Sequence, residues 1–226
     1  MPQATVHLLR HGEVHNPDGV LYGRLPEFHL SELGQEMART LAEHFRQRAE
    51  QGARITYLAA SPLERAQETA RPTSEALHLQ IHTEPRIIEA ENYFEGMKVT
   101  KAELRRPKHW PRLVNPLRPS WGEPYTQQAA RVAAAAQDAR LRAIELAAGD
   151  FGAAGPEAIL VSHQLPIWAA RLSAEGRPLW HDPRKRECTL TSVTSLVFDE
   201  AGSLVRVDYS EPAASLLPGA ASTPGA

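Results

Sequence analysis

Three short apolar runs in this chain stop abruptly on polar residues before a helical pattern begins, and this repeat restricts the fold more than any other feature. Val6, Leu8 and Leu9 lead into Arg10-His11-Gly12-Glu13; Ile55 to Ala60 leads into Ser61-Pro62-Leu63-Glu64-Arg65; Ala158-Ile159-Leu160 leads into Val161-Ser162-His163-Gln164. Short apolar runs of this kind are buried strands, and strands that alternate with helices build an α/β sheet with crossover helices. Ser31 is the expected N-cap of a helix whose Met37, Leu41 and Phe45 repeat at i, i+4. Pro62 is placed in the first turn of a helix carrying Arg65, Thr69 and Thr73, and Gln127 to Leu146 is a long Ala-rich helix ending near Gly149. Leu79 to Thr83 is a further strand candidate, Pro166 to Leu172 a helix, and Thr191 to Phe198 with Leu204 to Tyr209 a closing hairpin around Asp199-Glu200-Ala201-Gly202.

The 226 residues suit one compact domain, expected over 1–211, and the net charge of -2 gives no reason to expect nucleic-acid binding. Cys188 is the only cysteine, which excludes an intrachain disulfide and a cysteine zinc cluster, and the ten histidines form no zinc spacing. No metal and no cofactor are expected. No signal peptide pattern and no bilayer-length apolar run is present, so a cytoplasmic protein without membrane partners is expected. Residues 212–226, nearly uncharged and made largely of Ala, Pro, Ser and Gly, read as a disordered tail.

The chemistry concentrates at the strand tips. An Arg-His-Gly turn there sets a guanidinium beside an imidazole, with a glycine that would let a ligand approach the backbone. Arg meets phosphate bidentately and neutral His is a nucleophile near pH 7, so the pair suggests phosphoryl transfer through a phosphohistidine. Taken alone, the same residues also describe a strand end with one surface His and one surface Arg.

The three motifs together, Arg10-His11-Gly12-Glu13, then Ser61-Pro62-Leu63-x-Arg65-Ala66-x-x-Thr69-Ala70, then Ser162-His163, resemble the histidine phosphatase superfamily, also called phosphoglycerate mutase-like. The resemblance runs from about Val6 to about Phe198. It implies a three-layer α/β/α sandwich with a mostly parallel central sheet and a cap inserted over the site. Here the cap falls at about 97–125, where five prolines and two tryptophans interrupt the pattern. Its basic residues Lys98, Lys101, Arg105, Arg106, Lys108, Arg112 and Arg118 read mostly as a solvated face, with one or two left to meet an anionic substrate.

By the same resemblance His11 is the nucleophile, Arg10 and Arg65 clamp phosphate oxygens, and His163 is catalytic and adds a further positive donor. Glu89, in Arg86-Ile87-Ile88-Glu89-Ala90-Glu91-Asn92-Tyr93-Phe94-Glu95-Gly96, is the acid/base, with Glu91 as the alternative because this stretch is one residue shorter than in the mutases. Glu13 supports the nucleophile. Asn16 is expected to reach the phosphate. Arg24, Glu13 and Gln164, the last standing where many members carry Gly, are candidate substrate contacts. The reading is a metal-independent phosphomonoesterase of the phosphatase branch, a histidine acid phosphatase-type hydrolase acting on a small phosphorylated metabolite. A cofactor-dependent mutase and a catalytically idle phosphate-binding protein are the alternatives. Oligomeric state is not encoded in any motif.

Overall fold

The computed structural model describes residues 3–115, 121–152 and 154–220. Six strands form one sheet: β1 (Ala4–Arg10), β2 (Arg54–Ala60), β3 (Ile81–Thr83), β4 (Pro156–Ser162), β5 (Val193–Phe198) and β6 (Leu204–Ser210), in the spatial order β3-β2-β4-β1-β5-β6. The β3, β2, β4 and β1 neighbours are parallel, and β5 runs antiparallel to both β1 and β6. The helices are α1 (Glu32–Glu50), α2 (Glu64–Leu77), α3 (Lys101–Leu104), α4 (Tyr125–Ala147) and α5 (Gln164–Ala174). The pair α1 and α2 covers one face of the sheet and the pair α4 and α5 covers the other, a three-layer α/β/α sandwich.

Strand periodicity explains the layering. Alternate side chains of one strand point to opposite faces. Val6 and Leu8 of β1 and Ala158 and Leu160 of β4 pack with Val132, Ala135 and Ala139 of α4. Leu9, Ile159 and Val161 point the other way, onto Leu41 and Phe45 of α1 and Ala66 and Ala70 of α2. Both central strands are buried along all seven residues, so each must be apolar on both faces. The Ala-rich face of α4 lets that helix lie close against the sheet.

The helix termini follow local chemistry. Ser31 caps α1 by accepting from the Gly34 amide at 2.9 Å. α4 ends where Ala148 and Gly149 take positive φ, and α2 begins at Glu64, so Pro62 lies just before the helix and not within its first turn. The cap segment folds as α3 and a 3-10 helix over Pro107–Arg112. Lys98, Lys101, Arg105, Arg106, Lys108 and Arg112 are all exposed, whereas Leu104 and Leu113 turn inward; Arg118 lies outside the described residues.

The expected disordered tail is corrected in part. Ala214–Gly219 forms a 3-10 helix against α1 and Ala213 is buried. Composition registered the missing charge but not that this stretch would lie against α1. Residues 221–226 lie outside the described residues. Among the described residues no helix is long and apolar enough to cross a membrane.

Candidate active site

β1 and β4 lie side by side in register, Arg10 opposite Ser162, so His11 and His163 leave the sheet together at its C-terminal edge. The His11 amide continues the ladder to the Ser162 carbonyl at 3.1 Å, and the Ser61 amide extends β2 to the Val161 carbonyl at 2.9 Å. Beyond these tips β1 leads to α1 on one face and β4 to α5 on the other. Such a divergence opens a crevice outside the strand ends.

Into this crevice the structure brings His11, His163, Arg10, Arg65 and Glu89. The two imidazole centroids are 5.2 Å apart, and both rings are fully buried. His11 Nδ1 lies 2.7 Å from the Gly12 carbonyl. A carbonyl oxygen only accepts, so Nδ1 carries the proton and Nε2 carries the lone pair. That Nε2 is buried and has no hydrogen-bond partner within the protein. Burial, then the charges of Arg65 and Arg10, hold His11 well below the usual histidine range, so its imidazole is neutral.

Arg65 reaches the site from the first turn of α2. Its side chain is completely buried, lies 4.7 Å from the Tyr22 ring centroid and donates one Nη to the Gly23 carbonyl at 2.5 Å. Its Nε and other Nη have no partner within the protein. Arg10 is held by the Cys188 carbonyl at 2.8 Å. His163 Nε2 pairs with Ser61 Oγ at 2.7 Å, and its Nδ1 is buried and unpartnered. Burial and the Arg65 charge push His163 well below the usual range. This departs from the expectation of a positively charged donor: a desolvated imidazole beside guanidinium groups loses its proton unless an anion offsets their field.

Glu89 is nearly buried, and one oxygen accepts from the Ala90 amide at 2.7 Å. Burial raises its pKa above the carboxylate range, outweighing that amide and the charges of Arg65, Arg186 and Arg10. Glu91 points outward, its side chain 70% exposed and paired with Arg24 at 3.0 Å.

Other expected contacts make hydrogen bonds within the protein. The Asn16 amide is taken up by its own loop, donating to the Val20 carbonyl at 2.8 Å and accepting from the Val20 amide at 3.2 Å. Arg24 donates to the Glu89 backbone carbonyl at 2.7 Å and pairs with Glu91 and Glu123, so it clamps the acid segment against the cap. Glu13 accepts from Ser31 Oγ at 2.5 Å and ties the nucleophile loop to α1. Gln164 donates to the Cys188 carbonyl and accepts from Arg186, each at 3.2 Å. A Cβ on Gly12 would stand 2.6 Å from the Gly34 carbonyl, so the glycine admits the first turn of α1.

Sequence reading missed Arg186 and Tyr22. Arg186 follows Pro183-Arg184-Lys185 in a loop without periodicity, where nothing separates a half-buried arginine from its exposed neighbours. Tyr22 is 2% exposed with its ring centroid 6.4 Å from that of His11, and burial pushes its hydroxyl up to about 12.

A family model described as the histidine phosphatase superfamily (branch 1) matches residues 6–208. An uncharacterized protein of Mycobacterium tuberculosis is 49% identical over 217 residues, covering 95% of this chain and 100% of that protein. A mycobacterial glucosyl-3-phosphoglycerate phosphatase superposes with a TM-score of 0.70 at 24% identity, over 92% of this chain and 97% of that one. A phosphoglycerate mutase from Bacillus anthracis does so with a TM-score of 0.66 at 20% identity, over 96% of each chain. Both structures share the fold of this chain.

Proposed function

The chain belongs to the histidine phosphatase superfamily, branch 1, and from that membership and the crevice chemistry we propose that it is a metal-independent phosphomonoesterase working through phospho-His11. One observation carries the reading. The His11 Nε2 lone pair, two Arg65 nitrogens and His163 Nδ1 are all buried without a partner, and they sit around one crevice at the strand tips. Orphaned buried donors are rare in folded proteins, and a set of them beside a neutral imidazole fits a tetrahedral dianion.

In the first step Nε2 attacks phosphorus, the bond to the alcohol oxygen breaks, and Glu89 gives that oxygen its proton. Arg10 and Arg65 offset charge on the equatorial oxygens. The arriving dianion reverses the local field, so His163 regains proton affinity and donates as well. In the second step Glu89, now a carboxylate, takes a proton from water as the water attacks phosphorus. The phosphorus–Nε2 bond breaks and inorganic phosphate leaves. The guanidinium groups supply the positive charge this needs, so no metal is invoked.

The test is acid-labile, alkali-stable phosphate trapped on His11 during turnover, after exhaustive EDTA treatment. The expected result is a phosphohistidine that is absent in His11→Ala together with all turnover. Substantial activity in His11→Ala, or none without a restored divalent ion, would sink the mechanism.

A further inference from the structure

If Glu89 protonates the leaving oxygen, the carbon bonded to that oxygen must enter whatever space Glu89 borders. That space is a cavity of about 390 Å3 beneath the cap, within the size range of small-molecule sites. Its wall includes Leu21, Phe94, Leu104, Leu113, Tyr125 and Leu165. The cap therefore turns its apolar side to the site, while the basic residues of the same segment face solvent.

Several polar side chains in this wall are already bonded within the protein. Asn92 Oδ1 accepts from the Phe94 amide at 3.0 Å. Gln164 is bonded at both ends of its amide, and Arg186 donates to Gln164 and to His181 Nε2. A sugar or hydroxyacid moved here from water would exchange solvated hydroxyls for a mainly apolar wall, several of whose polar groups are already bonded, at a cost for each unmatched group. An alkyl or aromatic group has only apolar surface to desolvate.

We propose that the substrate is the phosphate monoester of a predominantly apolar alcohol or phenol, bound with its carbon skeleton in the cavity under the cap. The proposal rests on the phosphomonoesterase reading for turnover but not for binding, which allows the two to be tested apart.

The experiment compares kcat/KM for methyl, butyl, octyl and 1-naphthyl phosphate with glucose 6-phosphate and 3-phosphoglycerate, and measures binding of methyl- and octylphosphonate by calorimetry. A fully buried methylene is worth up to about fourfold. We expect octyl phosphate to exceed butyl phosphate at least about tenfold, with the sugar and hydroxyacid esters poorest. An octyl preference over naphthyl marks an extended aliphatic occupant, and the reverse an aromatic one. Leu104→Gln should lower the octyl-to-methyl ratio, which a general loss of folded protein would leave unchanged. A flat chain-length profile, or preference for the polar esters, overturns the proposal. So do equal affinities for the two phosphonates. Tighter octylphosphonate binding without turnover of any ester would keep the apolar site and overturn the phosphatase reading instead.

Discussion

A histidine attacks phosphorus only with a free lone pair, and at His11 a single backbone carbonyl decides which nitrogen has it. The Gly12 oxygen accepts a hydrogen bond from Nδ1–H at 2.7 Å, leaving the lone pair on Nε2. The two candidate carboxyls are set apart by environment in the same way. Glu89 and Glu91 are two residues apart, yet one is buried with a raised pKa and the other is drawn into solvent by Arg24. A general acid must start protonated, so kcat/KM on poor leaving groups should fall as pH rises through the elevated Glu89 value. Glu89→Gln should greatly slow alkyl esters while sparing the phosphorylation step of nitrophenyl phosphate, whose leaving group needs no proton. Glu91→Gln should show no such contrast; if the dependence follows Glu91 instead, the assignment is wrong. Stability offers an independent check. A carboxyl whose pKa is raised by folding contributes stability at low pH and loses it as pH rises through the folded value. Glu89→Gln should therefore melt no lower than the parent at neutral pH, which separates lost chemistry from lost fold.

At the level of elements, the catalytic tips depend on how closely β1, β4 and α1 are joined. A Cβ on Gly34 would stand 2.0 Å from the Glu13 carbonyl, so α1 can begin against the nucleophile loop only because residues 12 and 34 are both glycine. Lower in the sheet, Glu157 of β4 accepts from His7 of β1 at 2.9 Å and from Arg48 of α1 at 2.7 and 2.8 Å. Burial alone would raise the Glu157 pKa, but the hydrogen bonds from His7 and Arg48 outweigh it and hold the carboxyl at about 2. Because this value is depressed, its stabilisation is complete above the ordinary carboxylate range and is lost as pH falls toward about 2. Glu157→Gln should cost about 1–3 kcal/mol at neutral pH. The difference from the parent should shrink in urea melts as the pH is lowered through that window. Parallel losses at neutral and acid pH would show that Glu157 contributes only shape.

For the molecule as a whole, the site carries a cost that its ligand removes. Arg65 is fully buried with two nitrogens unpartnered, and burial lowers its pKa. A bound anion should therefore stabilise the fold, by about 2.7 kcal/mol at a hundred times its dissociation constant, or about 5–10 °C in Tm. Arg65→Met should melt no lower than the parent without phosphate and lose the phosphate-induced rise; an undiminished rise would remove Arg65 from the phosphate site. The sandwich was legible in the chain because its central strands are buried on both faces and its helices on one, so burial wrote itself into residue type as short apolar runs in the strands and a period near four in the helices. The strand tips that carry His11 and His163 were legible for a related reason, since each stands where an apolar run stops and such boundaries are local; the roles expected of Arg65 and His163 came from the family resemblance of the three motifs. What only the tertiary structure decided lies in loops, where neither periodicity nor burial marks the chain. Asn16 and Arg24 were open to solvent or substrate on paper, and the fold turned both to structural hydrogen bonds. Gly12 also makes room for the first turn of α1, a helix that begins only at Glu32. Arg186 and the apolar side of the cap arise from segments far apart in sequence meeting above the sheet. A local pattern records which face of an element is buried, but not which distant loop will cover it.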